Sequence, residues 1–364
     1  MKAFLQVILY TFLGVSAQAQ ISRDLDRVLR EHTGPEQPGL ALRVESAGRV
    51  LYSKGFGLAA PPDKTPVSSR TNFRMASVSK QFTAMAVLLL EQEGKLSLED
   101  RLSKYFPEIP PGVADRIRIR HLLTHSSGIP DYESLMSDTI STQLSDRDVL
   151  ELVKTRDTTY FEPGTSFRYS NSAYCLLSLL VERISGTPYP RFARDRIFRP
   201  LGMKNTLIYE AGQQIPNRGM GYARNEQGDL IPSDQSLTSA TMGDGGVYTS
   251  LEDYSRWIHA LRSNQLLQFG SLAAALKHPI REVPDAFYTA GWFIKGSSPA
   301  TFFHSGSTCG FTNFVIERPE DGLSVVFFSN IAGNEAPFTA VLKVLSDHGI
   351  TGLEPLMELH ALTR

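Results

Sequence analysis

Between Arg74 and Glu91 the chain reads MASVSKQFTAMAVLLL, with Lys80 its one ionised residue. From Phe82 to Leu90 it is apolar nearly all the way round, which predicts a helix buried on every side, with Gly94 as its stop. Ile21 to Glu31 instead has the one-sided pattern of an amphipathic helix. Helical patterns dominate from Ser77 to about Met203: IRIRHLLTH, DRDVLELVKT, SNSAYCLLSLLVERISG stopping at Gly186, and YPRFARDRIF. Strand patterns lie on either side. Gly39 to Gly57 predicts a hairpin, LALRVE and RVLYSKGFG, turning at Ser46-Ala47-Gly48. After about Gly219 come FYTAGWFIK, ATFFHSG, FTNFVIER and LSVVFFSN, split by Gly, Pro and Asp turns. A last helix is expected over about Glu335 to Asp347. The chain thus predicts a strand-bearing part built from both ends, about 20–70 and 219–364, with a helical part, about 71–218, inserted. The seam between two such parts is where an active site is expected.

The first residues have a different pattern. Lys2, an apolar run from Ala3 to Ser16 and the small-x-small Ala17-Gln18-Ala19 predict a signal peptide over residues 1–19, hence an exported, periplasmic protein. No later run reaches the roughly 18 uncharged residues of a membrane span. Without residues 1–19 the chain carries 36 basic against 38 acidic residues, a balance that speaks against nucleic acid or an anionic membrane as partner. Two cysteines, Cys175 and Cys309, make no disulfide framework. A single bridge between them stays open, with Cys175's place in an apolar helical run against it.

A lysine at the head of a buried helix needs an explanation, because an unpaired buried ammonium costs several kcal/mol. Ser77 stands three residues before Lys80, on the same helix face and at the helix start, where free N–H groups favour an oxyanion. A desolvated lysine loses its proton more readily and can serve a serine as base. Ser-x-x-Lys alone is weak, since chance supplies about one in a chain this long. Two more patterns, each occurring once, strengthen it: Tyr169-Ser170-Asn171 just before a helix, and His304-Ser305-Gly306 on a strand.

With these motifs the chain resembles the serine β-lactamase and penicillin-binding superfamily, in the group of class C β-lactamases, DD-carboxypeptidases, D-aminopeptidases and related esterases. The resemblance runs from about Gly39 to Asn330 and includes FRMASVSKQFTAMAVLLLEQEGKLSLED, IRHLLTHSSGIPDY, YSNSAYCLL, FRPLGM, GDGGVYTSLEDYSRW and HSGSTCGFTN. It implies an α+β fold, an antiparallel sheet flanked by N- and C-terminal helices with an all-helical subdomain inserted, in one catalytic domain over 20–364. It also implies roles. Ser77 is then the acylated nucleophile, Lys80 and Tyr169 share the proton transfer, and Asn171 hydrogen-bonds the substrate amide. His304, standing where many β-lactamases have lysine, lines the edge strand beside the substrate with Ser305 and Gly306. The N–H groups of Ser77 and Ser307 form the oxyanion hole. Which of Lys80 and Tyr169 is the base stays open: a tyrosine phenolate at pH 7 needs a shift of about three units.

The implied activity is hydrolysis of an amide or peptide bond through an acyl-serine, DD-carboxypeptidase- or D-aminopeptidase-like, on a small-molecule or peptide substrate, with no cofactor and no metal. Alternatives are a β-lactamase, a short-chain carboxylesterase, or a penicillin-recognising, wall-binding module without turnover. His-Ser-Gly in place of Lys-Thr-Gly counts against efficient β-lactam hydrolysis, because a neutral imidazole attracts a carboxylate less than an ammonium does. At an ordinary pKa near 6.5, His304 would gain its charge by pH 5.5 and then favour carboxylate-bearing substrates. His121 and His125 in HLLTH have the spacing of two ligands on one helix but lack the glutamate of a zincin, and are expected to be structural. Asp131 and Tyr132 are expected at the cleft rim or in a plain turn, Asp244-Gly245-Gly246 in a tight turn near the cleft, and Trp292 in the core or cleft wall.

Overall fold

A computed structural model describes residues 18–296 and 300–363, so the expected signal peptide lies almost wholly outside the described residues. Eight antiparallel strands form the main sheet, in the order His278–Ile280, Ala286–Thr289, Trp292–Lys295, Thr301–Thr308, Phe311–Arg318, Leu323–Ser329, Leu40–Ser46, Arg49–Phe56. The N-terminal hairpin therefore completes a sheet begun by the C-terminal half. Its turn has Ala47 and Gly48 at φ 48° and 73°, the geometry that a two-residue hairpin needs. One face of the sheet is covered by a helix over residues 18–32 and by Glu335–Asp347, where Phe338 stacks on Phe314 of the sheet with centroids 4.3 Å apart.

The opposite face carries the helical part. At its centre is Lys80–Gln92, buried from Lys80 to Leu90 as its pattern requires, with Gly94 beyond it in the left-handed region. Asn171–Ser185, N-capped by Ser170 and ended by Gly186, packs beside it, and Asp146–Lys154 lies against that helix in turn. Several elements differ from expectation. Leu251–Arg262 and Phe269–Leu276 are helices inside the strand-rich C-terminal half, the first signalled by the Ser250 cap, which accepts from Asp253 N–H, and FYTAGWFIK is two strands rather than one. IRIRHLLTH gives only the five-residue helix Ile119–Leu123. YPRFARDRIF splits into Tyr189–Ala193 and a wide turn, Arg194–Phe198. Cys175 and Cys309 are free, and among the described residues no helix is long and apolar enough to cross a membrane.

The two chain ends are sewn together by one side chain. Asn330 is fully buried; its Oδ1 accepts from Gly39 N–H at 2.6 Å and its Nδ2 donates to the carbonyls of Leu58, Ala59 and Met220 at 2.8–3.2 Å. Asn330→Ala removes the partner of the Gly39 N–H and a donor from three carbonyls, of which Ala59 keeps the Met220 N–H at 2.8 Å. It should destabilise the fold by about 3 kcal/mol or more, seen as a lower midpoint in thermal or urea unfolding. A midpoint equal to the parent's would mean that the hairpin is held by its ladder alone.

Candidate active site

Phe73–Arg74 pairs with Val247–Thr249 in a small second sheet, and the chain then turns sharply into the Lys80–Gln92 helix. Ala76 sits at φ 49°, a conformation that costs a non-glycine residue about 1 kcal/mol. The tight turn Ala76–Ser79 that follows buries Ala76, Val78 and Ser79 and leaves Ser77 the partly exposed one. Strain beside a residue thrust into a cleft is a common feature of reactive sites.

The three motifs meet here. Lys80, fully buried, has its Nζ 3.0 Å from Ser77 Oγ and donates to Asn171 Oδ1 at 2.8 Å and to the Asp244 carbonyl at 3.0 Å. Its ammonium lies 4.8 Å from the centre of the Tyr169 ring. Burial lowers the Lys80 pKa against the upward pull of Asp244, Cys175, Asp131 and Glu133. The Tyr169 hydroxyl is buried without a well-formed hydrogen bond. Burial pushes its pKa well above 10, and the nearby Ser77 hydroxyl pulls the other way. The Tyr169 ring is held by His125, whose ring packs on it at 4.2 Å while its Nδ1 accepts from Ser170 N–H at 3.1 Å. Asn171 begins its helix with its N–H bonded to the Asp131 carboxylate, and its Nδ2 donates to Glu133 Oε1 at 3.3 Å.

The third motif lies on Thr301–Thr308, and its residues part company. Gly306 runs so close to the turn that a Cβ there would stand 2.2 Å from Met75 O and 3.1 Å from Ser77 N. That approach puts the strand, with the exposed Ser307 next along it, against the Ser77 turn. His304 does not line the edge beside the substrate, as the resemblance implied. Its ring is wholly buried, with Nε2 3.1 Å from Tyr288 Oη and Nδ1 2.6 Å from the Ser305 carbonyl. Burial, helped by Lys80, lowers its pKa to about 3, so the expected gain of charge by pH 5.5 does not hold. Ser305 is buried too, its Oγ 2.8 Å from His360 Nδ1.

These groups border a cleft of about 170 Å³ lined by Ser77, Glu133, Asn171, Asp244, Ser307 and Thr363, among others. A larger hollow, about 370 Å³ between Glu108 and Arg147, is lined by charged side chains and two leucines and no nucleophile, so size does not locate the site. Glu133 opens to the cleft mouth. Burial by the walls and then the charges of Asp131 and Asp244 raise its carboxyl to about 6. Asp131 and Tyr132 are built into the site: Asp131 holds the Asn171 helix start and Tyr132 donates to Asp244 Oδ2 at 3.3 Å. Asp244 contributes its carbonyl to Lys80, and Trp292 is core, 1% exposed.

The histidine pair shares no helix face. Ile119–Leu123 ends before His125, which stands at φ 53°. Among the described residues, one trio of possible metal ligands lies within 4.8 Å: Asp146, Cys175 and Asp244, all buried. Asp146 already accepts from the N–H groups of Met242 and Gly243 and from Ser178, which makes it a tie between segments. His125, buried and packed on Tyr169, is structural as expected; sequence reasoning missed Glu133, His360 and Thr363, and an acid two residues after Asp131 was the one visible signal among them.

Comparison with known proteins agrees with this geometry. The family described as Beta-lactamase matches residues 25–347. "Penicillin-binding protein 4*" of Bacillus subtilis (strain 168) is 29% identical over 334 residues, 86% of this chain and 72% of that protein. The crystal structure of a penicillin-binding protein from Bacillus halodurans superposes with TM-score 0.76 at 26% identity, covering 87% of this chain and 98% of that one. That of D-amino acid amidase from Ochrobactrum anthropi SV3, complexed with L-phenylalanine amide, shares the fold with TM-score 0.75 at 24% identity, over 90% of this chain and 99% of that one. With its fold, its serine and lysine in contact and this match over most of its length, the chain belongs to the beta-lactamase family and is a serine hydrolase.

Proposed function

We infer that the protein is an exported amidohydrolase that acts through an acyl-serine on amides or short peptides whose acyl part carries a free amino group. Ser77 attacks the carbonyl. Lys80 is its base: two of the three Lys80 partners, Asn171 Oδ1 and the Asp244 carbonyl, can only accept. A neutral amine that donates to both turns its lone pair toward the third, the Ser77 hydroxyl, which alone has a proton to give. The lowered Lys80 pKa and the raised Tyr169 pKa support the same assignment. Tyr169 then carries a proton, ready to pass it to the leaving nitrogen. The N–H groups of Ser77 and Ser307 hold the oxyanion.

The observation that carries the substrate class is Glu133, an open carboxylate beside Asn171 in a cleft whose strand offers no cation. His304 is neutral, and the buried Arg74 donates to the Ser239 carbonyl and Gln235. Arg74 borders the cleft too but is buried, so the exposed charge a substrate meets first is the Glu133 carboxylate, which favours an ammonium and thus the D-amino-acid amidase type over a DD-carboxypeptidase or β-lactamase. A short-chain esterase is the second reading, supported by the same lack of a carboxylate anchor.

The test compares D-phenylalanine amide with its N-acetyl derivative. Glu133→Gln should lower kcat/KM about fivefold for the free amine, the worth of a partly exposed charge pair, and leave the acetylated substrate unchanged. The sign with pH follows from a carboxyl raised to about 6: below that pH Glu133 is neutral, so the preference for the free amine should fade there in the parent. Equal rates for both substrates at pH 7.5 would remove the ammonium site.

A further inference from the structure

The chain does not stop at the helix that covers the sheet. Leu356–His360 and the turn Ala361–Thr363 bring it back to the catalytic strand, with Leu356 and Leu359 fully buried as anchors. His360 packs edge-on against Phe314, 5.1 Å between centroids, and lies 2.8 Å from Ser305 Oγ, with Glu335 Oε1 3.5 Å from its Nε2. Thr363 completes the clasp: its Oγ1 donates to the His360 carbonyl at 2.8 Å, stands 3.4 Å from Ser305 Oγ, and its partly exposed side chain joins Ser77 and Ser307 in lining the cleft.

The sides of the cleft are distinct. Glu133 and Asn171 reach the cleft from the helical part, whereas Thr363 reaches it from the segment clasped to Ser305 of the sheet. With the amine taken at Glu133 and the carbonyl carbon at Ser77, the lining that the sheet side contributes, Ser307 and Thr363, is left for the leaving group. We propose that Thr363, fixed by the His360–Ser305 clasp, is a specificity-determining wall that limits the size of the leaving group. This rests on the amide reading above for the direction in which the substrate lies. Ser305, expected beside the substrate, has its side chain buried against His360 instead.

Four substrates with one acyl group test it: D-phenylalanine amide and methyl ester, with small leaving groups, against the p-nitroanilide and benzyl ester. Thr363→Trp should cut kcat/KM for the two large leaving groups by about tenfold or more and leave the small ones within about twofold. Thr363→Gly should raise the large ones by about threefold, within the range that one pocket contact commands. His360→Ala, which loosens the turn, should resemble Thr363→Gly, and His360→Gln, which keeps a polar group for Ser305, should revert toward the parent. Thermal unfolding of each variant separates a moved wall from a lost fold. Uniform changes across all four substrates, or none in any variant, overturn the wall. If only the esters are cleaved, the amide reading falls, and the benzyl-to-methyl ratio still judges Thr363.

Discussion

Replacing Ser77 by alanine should abolish turnover, by on the order of 10⁴-fold or more on every substrate, with little change in stability. The loss follows from chemistry: no other hydroxyl in the cleft lies on a lysine that has its remaining partners fixed as pure acceptors. The small structural effect follows from position. Ser77 is the partly exposed residue of its turn, and the change removes one hydrogen bond, worth about 1 kcal/mol. Lys80 keeps Asn171 and Asp244. The check is a substrate panel beside thermal unfolding on one preparation. A variant that keeps more than a few per cent of parental activity would end the acyl-serine mechanism, whatever its stability.

Gly306→Ala should have the next largest effect, and for a different reason. The new Cβ would meet Met75 O at 2.2 Å, far inside contact distance, so strand and turn must separate. Their separation pulls the Ser307 N–H away from the oxyanion, and losing one such donor costs about 10²–10³ in kcat. Overpacking adds a stability cost of about 1–3 kcal/mol. Because Ser77 and Lys80 are three residues apart on the continuous turn and helix Ala76–Gln92, their contact should survive, and kcat should fall with the slow labelling of Ser77 by an acylating reagent still measurable. Activity within a few-fold of the parent would show that this strand-to-turn contact does not hold the transition state.

Much of this was legible beforehand, and the limits have physical causes. The Lys80–Gln92 helix declared itself because burial on all sides leaves no polar face, and the one charge in it had to be accounted for. The hairpin and the late strands followed from alternation and turn residues. His304 was misplaced because a strand's pleat says that neighbours face opposite ways but not which face is walled in; here the ring goes among Tyr169, Tyr288 and Phe293. His125 looked like a helical partner of His121 because a left-handed residue that ends a helix after one turn has no signature when it is not glycine. His360 and Thr363 lie more than fifty residues from the strand they clasp, and Glu133 gains its meaning only from Asn171, 38 residues on. Such pairings are made by packing and have no local period.

The central claim is that hydrolysis proceeds through an ester of Ser77 that forms only on substrates the cleft accepts. Acid quenching during turnover of D-phenylalanine methyl ester, followed by intact-mass measurement and peptide mapping, tests it directly. The account predicts a protein species heavier by one phenylalanyl group, the added mass on the peptide containing Ser77, absent in Ser77→Ala and weaker in Glu133→Gln. Turnover without any such species, with the hydroxylamine-trapped product likewise missing, or an adduct on another residue, would contradict it.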